Sequence, residues 1–149
     1  MLGKRKGSPY LDVVIKGLEG WDYEVTSDPT DTYNCIAYAA GDDSIWWDPI
    51  DDEDYYWPEG APREYTLDAY LRAYELEGFA RCEDDTVEDG YDKIAVYVGD
   101  NGGVHVARQI DALYWTSKLG RLHDIQHPLN ALVEEYGAVR VFLRRPKKG

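Results

Sequence analysis

The stretch from residue 92 to residue 118 constrains the fold most. It holds three runs of strand-forming residues, at about 92–98, 103–110 and 112–118. Asp100-Asn101-Gly102-Gly103 separates the first two, and Asp111 separates the second from the third. Asn-Gly steps accept the positive φ angles of a tight hairpin, and Asp side chains bond their own backbone in turns. Reversals this short make the three runs consecutive antiparallel neighbours. Alternation along the middle run places Val104 and Val106 on one face and His105, Ala107 and Gln109 on the other.

The flanking segments read as helices. Asp28-Pro29-Thr30-Asp31-Thr32 is a helix-start signal, with Asp31 or Thr32 as the cap. The helix runs through Cys35-Ile36-Ala37-Tyr38-Ala39-Ala40, and Gly41 stops it. Thr66 caps a second helix, whose Leu67, Tyr70, Leu71 and Tyr74 form one apolar stripe before Gly78. A short helix over about 128–135 ends at Gly137, and Val139-Arg140-Val141-Phe142-Leu143 alternates as a last strand. This order predicts a single α+β domain over 1–149, a helix packed on an antiparallel sheet of about four to five strands. Residues 1–9 and 146–149 are expected to be flexible arms.

Residues 42–64 fit neither pattern. Pro49, Pro58 and Pro62 interrupt any helix, while Trp46, Trp47, Tyr55, Tyr56 and Trp57 are too apolar for a solvated linker. A rigid lid or cleft wall is one reading, and a cover over the core is the other. The segment is also acidic, within a chain of net charge −13. Phosphate recognition needs a basic surface, so nucleic acid is not expected as a partner. Acid beside a cleft would favour cationic substrates, whereas a solvated acidic face would do nothing specific. No apolar run follows Lys4-Arg5-Lys6 as in a signal peptide, and none approaches the roughly 18 residues of a membrane span. The expected location is the cytoplasm, or delivery elsewhere without a cleavable signal, with no membrane contact and both thiols reduced.

The residues able to carry chemistry are Cys35 and His105. A cysteine in a first helical turn meets unpaired N–H groups and the positive end of the helix dipole, which favour a thiolate and can bind an oxyanion. Cys82 stands among Glu83, Asp84 and Asp85, which disfavour one. His105, beside the small Ala107, has room for a partner. A third residue would orient the imidazole. If the 110–112 reversal is centred on Asp111, Ser117 lies directly across from His105; Asp124 is chemically the stronger acceptor, and His127 is a further option. Lys118 stands at the same end of the sheet, placed to bind a substrate carboxylate or to neutralise Asp48 or Glu53. The Cys and His spacings match no metal site, and no glycine loop has the context of a phosphate cradle, so neither metal nor cofactor is expected.

The series Tyr33-Asn34-Cys35-Ile36-Ala37-Tyr38-Ala39, Trp46-Trp47-Asp48-Pro49, Tyr56-Trp57-Pro58, His105-Val106-Ala107-Arg108-Gln109, Trp115-Thr116-Ser117-Lys118-Leu119-Gly120 and Asp124-Ile125-Gln126-His127 resembles a family of small, mainly bacterial domains. That family looks like a compact, cell-wall-amidase-like branch of the papain-like cysteine peptidases, and the resemblance covers roughly residues 20–145. It implies Cys35 as nucleophile and His105 as base. The orienting residue would fall near Ser117 by the amidase pattern and near Asp124 by the papain pattern. Papain's oxyanion glutamine has no match, which leaves Asn34, Thr32 or Tyr33 to substitute. The implied function is a thiol-dependent peptidase, amidase or deamidase acting on a protein or peptide-like substrate, bound by Asn34, Trp46, Trp47, Trp57 and Lys118. The alternative is an inert binding module that uses the aromatic, acidic groove.

Overall fold

Alternating small and β-branched residues around the Asp100–Gly103 turn build the centre of the molecule, and longer-range pairings widen it into a broad sheet. The computed structural model describes residues 7–147, so Lys4, Arg5, Lys6 and Lys148 of the expected arms lie outside it. The helices are α1 (Pro9–Val14), α2 (Cys35–Ala39), α3 (Leu67–Leu76) and α4 (Val133–Tyr136), with a 3₁₀ turn at Leu129–Leu132. The strands are β1 (Glu24–Val25), β2 (Trp46–Trp47), β3 (Tyr55–Tyr56), β4 (Ala80–Cys82), β5 (Tyr91–Val98), β6 (Val104–Gln109), β7 (Trp115–Lys118), β8 (Asp124–His127) and β9 (Ala138–Pro146). Seven of them form one sheet in the order β1-β8-β7-β6-β5-β9-β4, with every neighbour antiparallel. β2 and β3 form a separate parallel pair. Among the described residues no helix is long and apolar enough to cross a membrane.

The sheet overturns the expected papain-like architecture of a nucleophile helix on four to five strands. The molecule is mostly sheet, and the four helices among the described residues are short. The extra strands come from segments without an apolar signal. β8 is Asp-Ile-Gln-His, β4 is Ala-Arg-Cys, and β1 has two residues. The expected N-terminal arm is also ordered from Ser8, whose hydroxyl caps α1 by accepting from the Leu11 amide.

Two cores flank the sheet. Ile36, Ala37, Leu71, Tyr74, Val96 and Val106 join α2 and α3 to one face. Leu11, Tyr23, Tyr97, Ala107, Trp115, Ile125 and Leu132 join α1 and the 3₁₀ turn to the other. Each large apolar side chain so buried contributes about 1.5 to 3 kcal/mol against conformational entropy. The aromatic segment 42–64 packs inward rather than forming a lid: Trp47 joins the first core, and Trp57 forms a third cluster with Ala61, Ala69 and Ala73. Trp47 and Trp57 are 3% and 6% exposed, and their indole N–H groups donate to Asp42 and to the Pro62 carbonyl. Trp46 is half-buried, with the Arg121 guanidinium 5.1 Å from its ring.

Arg145 fastens the helices to the sheet. One guanidinium nitrogen donates to the carbonyl of Ala40 after α2, another to that of Glu77 after α3, and the group lies 4.3 Å from the Phe79 ring. A cation here satisfies helix-end carbonyls and complements both helix dipoles. Gly137, at φ 98°, lets the chain turn from α4 into β9; a Cβ there would collide with the Val98 carbonyl.

Candidate active site

Cys35 is the first residue of α2. The cap is Asn34 rather than Asp31 or Thr32: its backbone is extended and its side-chain oxygen accepts from the Ala37 amide at 3.1 Å. The same side chain donates to the Trp47 carbonyl at 2.7 Å and accepts from the Trp47 amide at 3.2 Å. With its polar atoms engaged this way, Asn34 positions the helix start rather than binding substrate. Farther along, Tyr74 donates its hydroxyl to the Ile36 carbonyl at 2.8 Å. Cys35 itself is half-buried and free. Burial pushes its thiol up to about 11, against the opposing pull of the Val106, Cys35 and Ile36 amides and the Lys118 charge.

His105 lies in β6 with its ring on the other face. Val104 and Val106 pack into the core that contains α2, while Ala107 packs into the opposite one. The imidazole is 1% exposed, stacked on Tyr136 at 3.9 Å and 9°, and tilted against Tyr97 at 5.5 Å. Burial, with His127 nearby, pushes it down to about 3, so the ring is neutral. Its Nε2 atom is buried without a hydrogen-bond partner. Among the described residues no hydrogen bond joins Cys35 to His105. The thiol instead meets the amide of Val106, the next residue in the chain.

A split in the sheet explains this approach. β6 and β7 ladder only at Arg108↔Thr116 and Gln109↔Trp115, although β6 extends back to Val104 and β7 on to Lys118. Beyond those two pairs the Val106 amide has no partner in β7 and turns to the sulfur. Cys35 and His105 therefore flank the same stretch of β6 from opposite faces, beside the opening.

The expected third residues are engaged elsewhere. The observed register centres the reversal on Ala112, because the Asp111 carboxylate accepts from the Leu113 and Tyr114 amides and lengthens the turn. Moving the centre by one residue moves the partner by two, so extending the register sets Ala107, not His105, opposite Ser117. Ser117 pairs with His127 at 2.7 Å, both fully buried. The His127 Nδ1–H donates to the Pro128 carbonyl at 2.8 Å, which makes Nε2 the acceptor for the Ser117 hydroxyl. Burial pushes His127 down to about 4.

Asp124 lies on the α2 face, where it accepts from the Tyr33 hydroxyl at 2.7 Å. Its other oxygen is buried without a partner, and burial raises its carboxyl above the usual range. Asp124 is thus not the residue that orients His105. Lys118 does not face a cleft either. Its ammonium is buried and donates to the carbonyls of Thr30, Gly120 and Leu122 at 2.7, 2.7 and 2.6 Å.

The residues missed in the sequence are Tyr97 and Tyr136, which grip the imidazole, whereas Tyr33, an expected oxyanion donor, instead donates to Asp124. Tyr97 was reachable: a hairpin centred on Asn101 places it opposite His105, as observed. Tyr136 arrives on a crossing from the far edge of the sheet and leaves no local signal.

A family model described as a domain of unknown function (DUF7689) matches residues 24–144. No curated protein and no solved structure matches the chain.

Proposed function

We propose that this chain, which belongs to the DUF7689 domain family, carries out thiol chemistry at Cys35 on an amide or related acyl bond, with His105 as proton acceptor. The supporting observation is the split between β6 and β7, where a half-buried thiol meets main-chain amides on one face of β6 and a neutral imidazole lies on the other. Catalytic hydrogen bonds are often loose in a ligand-free site and tighten when substrate binds.

In the reaction, a bond forms between Sγ and the acyl carbon as the S–H proton passes to His105 by way of a water in the β6–β7 opening, since the two side chains lie on opposite faces of β6. The imidazolium then gives that proton to the departing amine. Water cleaves the resulting thioester and restores the thiol. The oxyanion develops two bonds from the sulfur, where the amides that face the sulfur would stabilise it. Both partners rest neutral, so proton transfer accompanies attack rather than preceding it. Tyr97 and Tyr136 hold the ring where other thiol enzymes use a hydrogen-bond acceptor. The reading places the protein in the cytoplasm.

The test is acylation by nitrophenyl acetate, followed by intact mass. An acetyl thioester forms on Cys35 and turns over, and His105→Ala slows acylation by about 100-fold or more. Acylation no faster than that of a simple thiol of equal pKa, and unchanged by His105→Ala, discards the proposal. The second reading, an inert binding module presenting the acidic 42–64 segment to a cationic partner, would then remain. It is favoured by one observation, the missing hydrogen bond between Cys35 and His105.

A further inference from the structure

Arg108 is a cation that the fold positions but does not pair. It shares the α2 face of β6 with Val104 and Val106 and stands directly opposite Thr116 of β7. Tyr38 of α2 meets both residues: its hydroxyl lies 2.9 Å from that of Thr116, and its ring lies 5.8 Å from the Arg108 guanidinium. Arg108 is half-buried, yet among the described residues its guanidinium has no hydrogen-bond acceptor and no carboxylate partner. In a chain of 29 acidic and 16 basic residues, carboxylates are not scarce. A cavity of about 90 Å³ opens beside it, lined by Tyr38, Gly41, Asp43 and Arg108. Gly41 follows α2 at φ 88°, and a Cβ there would lie 3.5 Å from an Arg108 nitrogen and 3.9 Å from an Arg145 nitrogen. The missing side chain thus leaves open the space on which two guanidiniums converge. Arg145 donates to the Ala40 and Glu77 carbonyls, and its Nε is buried without a partner. Asp43, which is exposed, is the one acidic side chain among the described lining residues.

We propose that this cavity binds a small zwitterion, its carboxylate on Arg108 beside Arg145 and its ammonium on Asp43. A free α-amino acid with a short side chain has this chemistry. The site is independent of the thiol reading. A guanidinium presents five donors in a plane that matches the two oxygens of a carboxylate. A half-buried guanidinium without acceptors leaves donors that a bound carboxylate satisfies. Asp43 sets the class of ligand: it repels a simple anion and draws one with positive charge beside its carboxylate. The volume sets the size, because pockets for larger organic ligands begin at roughly 300 Å³.

The test titrates the full chain at neutral pH and constant ionic strength with L-alanine, acetate, ethylammonium and inorganic phosphate. Backbone amide and arginine Nε–H signals are followed by NMR. L-alanine shifts Gly41, Asp43 and the Arg108 Nε–H saturably. It binds about fivefold more tightly than acetate or ethylammonium, the worth of one further exposed ion pair. Arg108→Gln abolishes the shifts. Asp43→Asn changes an exposed side chain and so keeps the fold; it weakens alanine binding about fivefold and strengthens acetate binding, which removes the preference. Acetate or phosphate binding as tightly as alanine, with Asp43→Asn making no difference, overturns the proposal in favour of a plain anion site. No saturable shift at Gly41 and Arg108 with any of the four overturns the site itself.

Discussion

Thr116 and Ser117 are neighbours in β7, yet they open onto opposite chemistries. On the face of Thr116 the buried polar groups include ions. Lys118 is ringed by three carbonyls, Asp124 takes the Tyr33 hydroxyl, and Tyr38 meets Thr116 at 2.9 Å. On the face of Ser117 the groups are neutral: His105 between two tyrosines, and His127 between Ser117 and Pro128. A sheet can bury polar residues on both sides in two ways. It can surround an ion with fixed dipoles, or it can exclude charge and keep titratable rings unprotonated.

Acid breaks the neutral face, with the largest expected effect. His105 and His127 are depressed to about 3 and about 4, whereas in the unfolded chain they titrate near the ordinary 6.5. Between those values the unfolded chain holds the extra protons, so stability is full above pH 6.5 and falls as the pH drops. Each histidine costs about 1.4 kcal/mol per pH unit, roughly 6 kcal/mol for both by pH 4. Asp124, raised rather than lowered, works weakly in the opposite sense just above its ordinary value. Urea midpoints at pH 7, 5.5 and 4 measure this, and His127→Phe halves the slope. A midpoint that holds at pH 4 would erase the distinction between the faces.

Lys118→Met breaks the ionic face. It strands three buried carbonyls and leaves Asp124 without its nearby cation, at a cost of about 3 to 5 kcal/mol in urea unfolding at pH 7. Two smaller substitutions sharpen the contrast. Ser117→Ala takes away the donor to His127 and costs about 1 to 2 kcal/mol at pH 7. The freed Nε2 also titrates at a different pH, visible by NMR. Thr116→Val, one residue away, costs about 1 kcal/mol and leaves the His127 titration unmoved. If both variants shifted that titration alike, the sheet would not be insulating one face from the other.

Much of the frame was legible because local chemistry sets it. Thr66 caps α3 through the Ala69 amide, Gly41 and Gly78 take positive φ after their helices, and the Asp100–Gly103 turn pairs Tyr97 with His105. The α2 cap is ambiguous in the sequence because Asp31, Thr32 and Asn34 all have suitable side chains, and the bonds from Asn34 to Trp47 decide among them. β8 was hidden because its buried residues include Asp124 and His127, which hydropathy reads as exposed. The aromatic segment looked like a lid because apolar character does not reveal which rings turn inward. The site fared similarly. Cys35 and His105 stood out by type, but their placement on opposite faces depends on which side of the sheet α2 packs.

The strand order also bears on how the chain assembles. β4 has no partner in the sheet until β9, whose first residue comes 56 positions after the last of β4. β9 must then slot between β4 and β5, pairing along the whole of β5. Until it does, the inner edge of β5 stands open and Arg145 cannot tie down the helix that carries the thiol. High contact order of this kind makes for slow folding. As the chain emerges from the ribosome, Cys35 and His105 are therefore both made well before the strand that sets α2 against the sheet, and their final placement waits on the last strand.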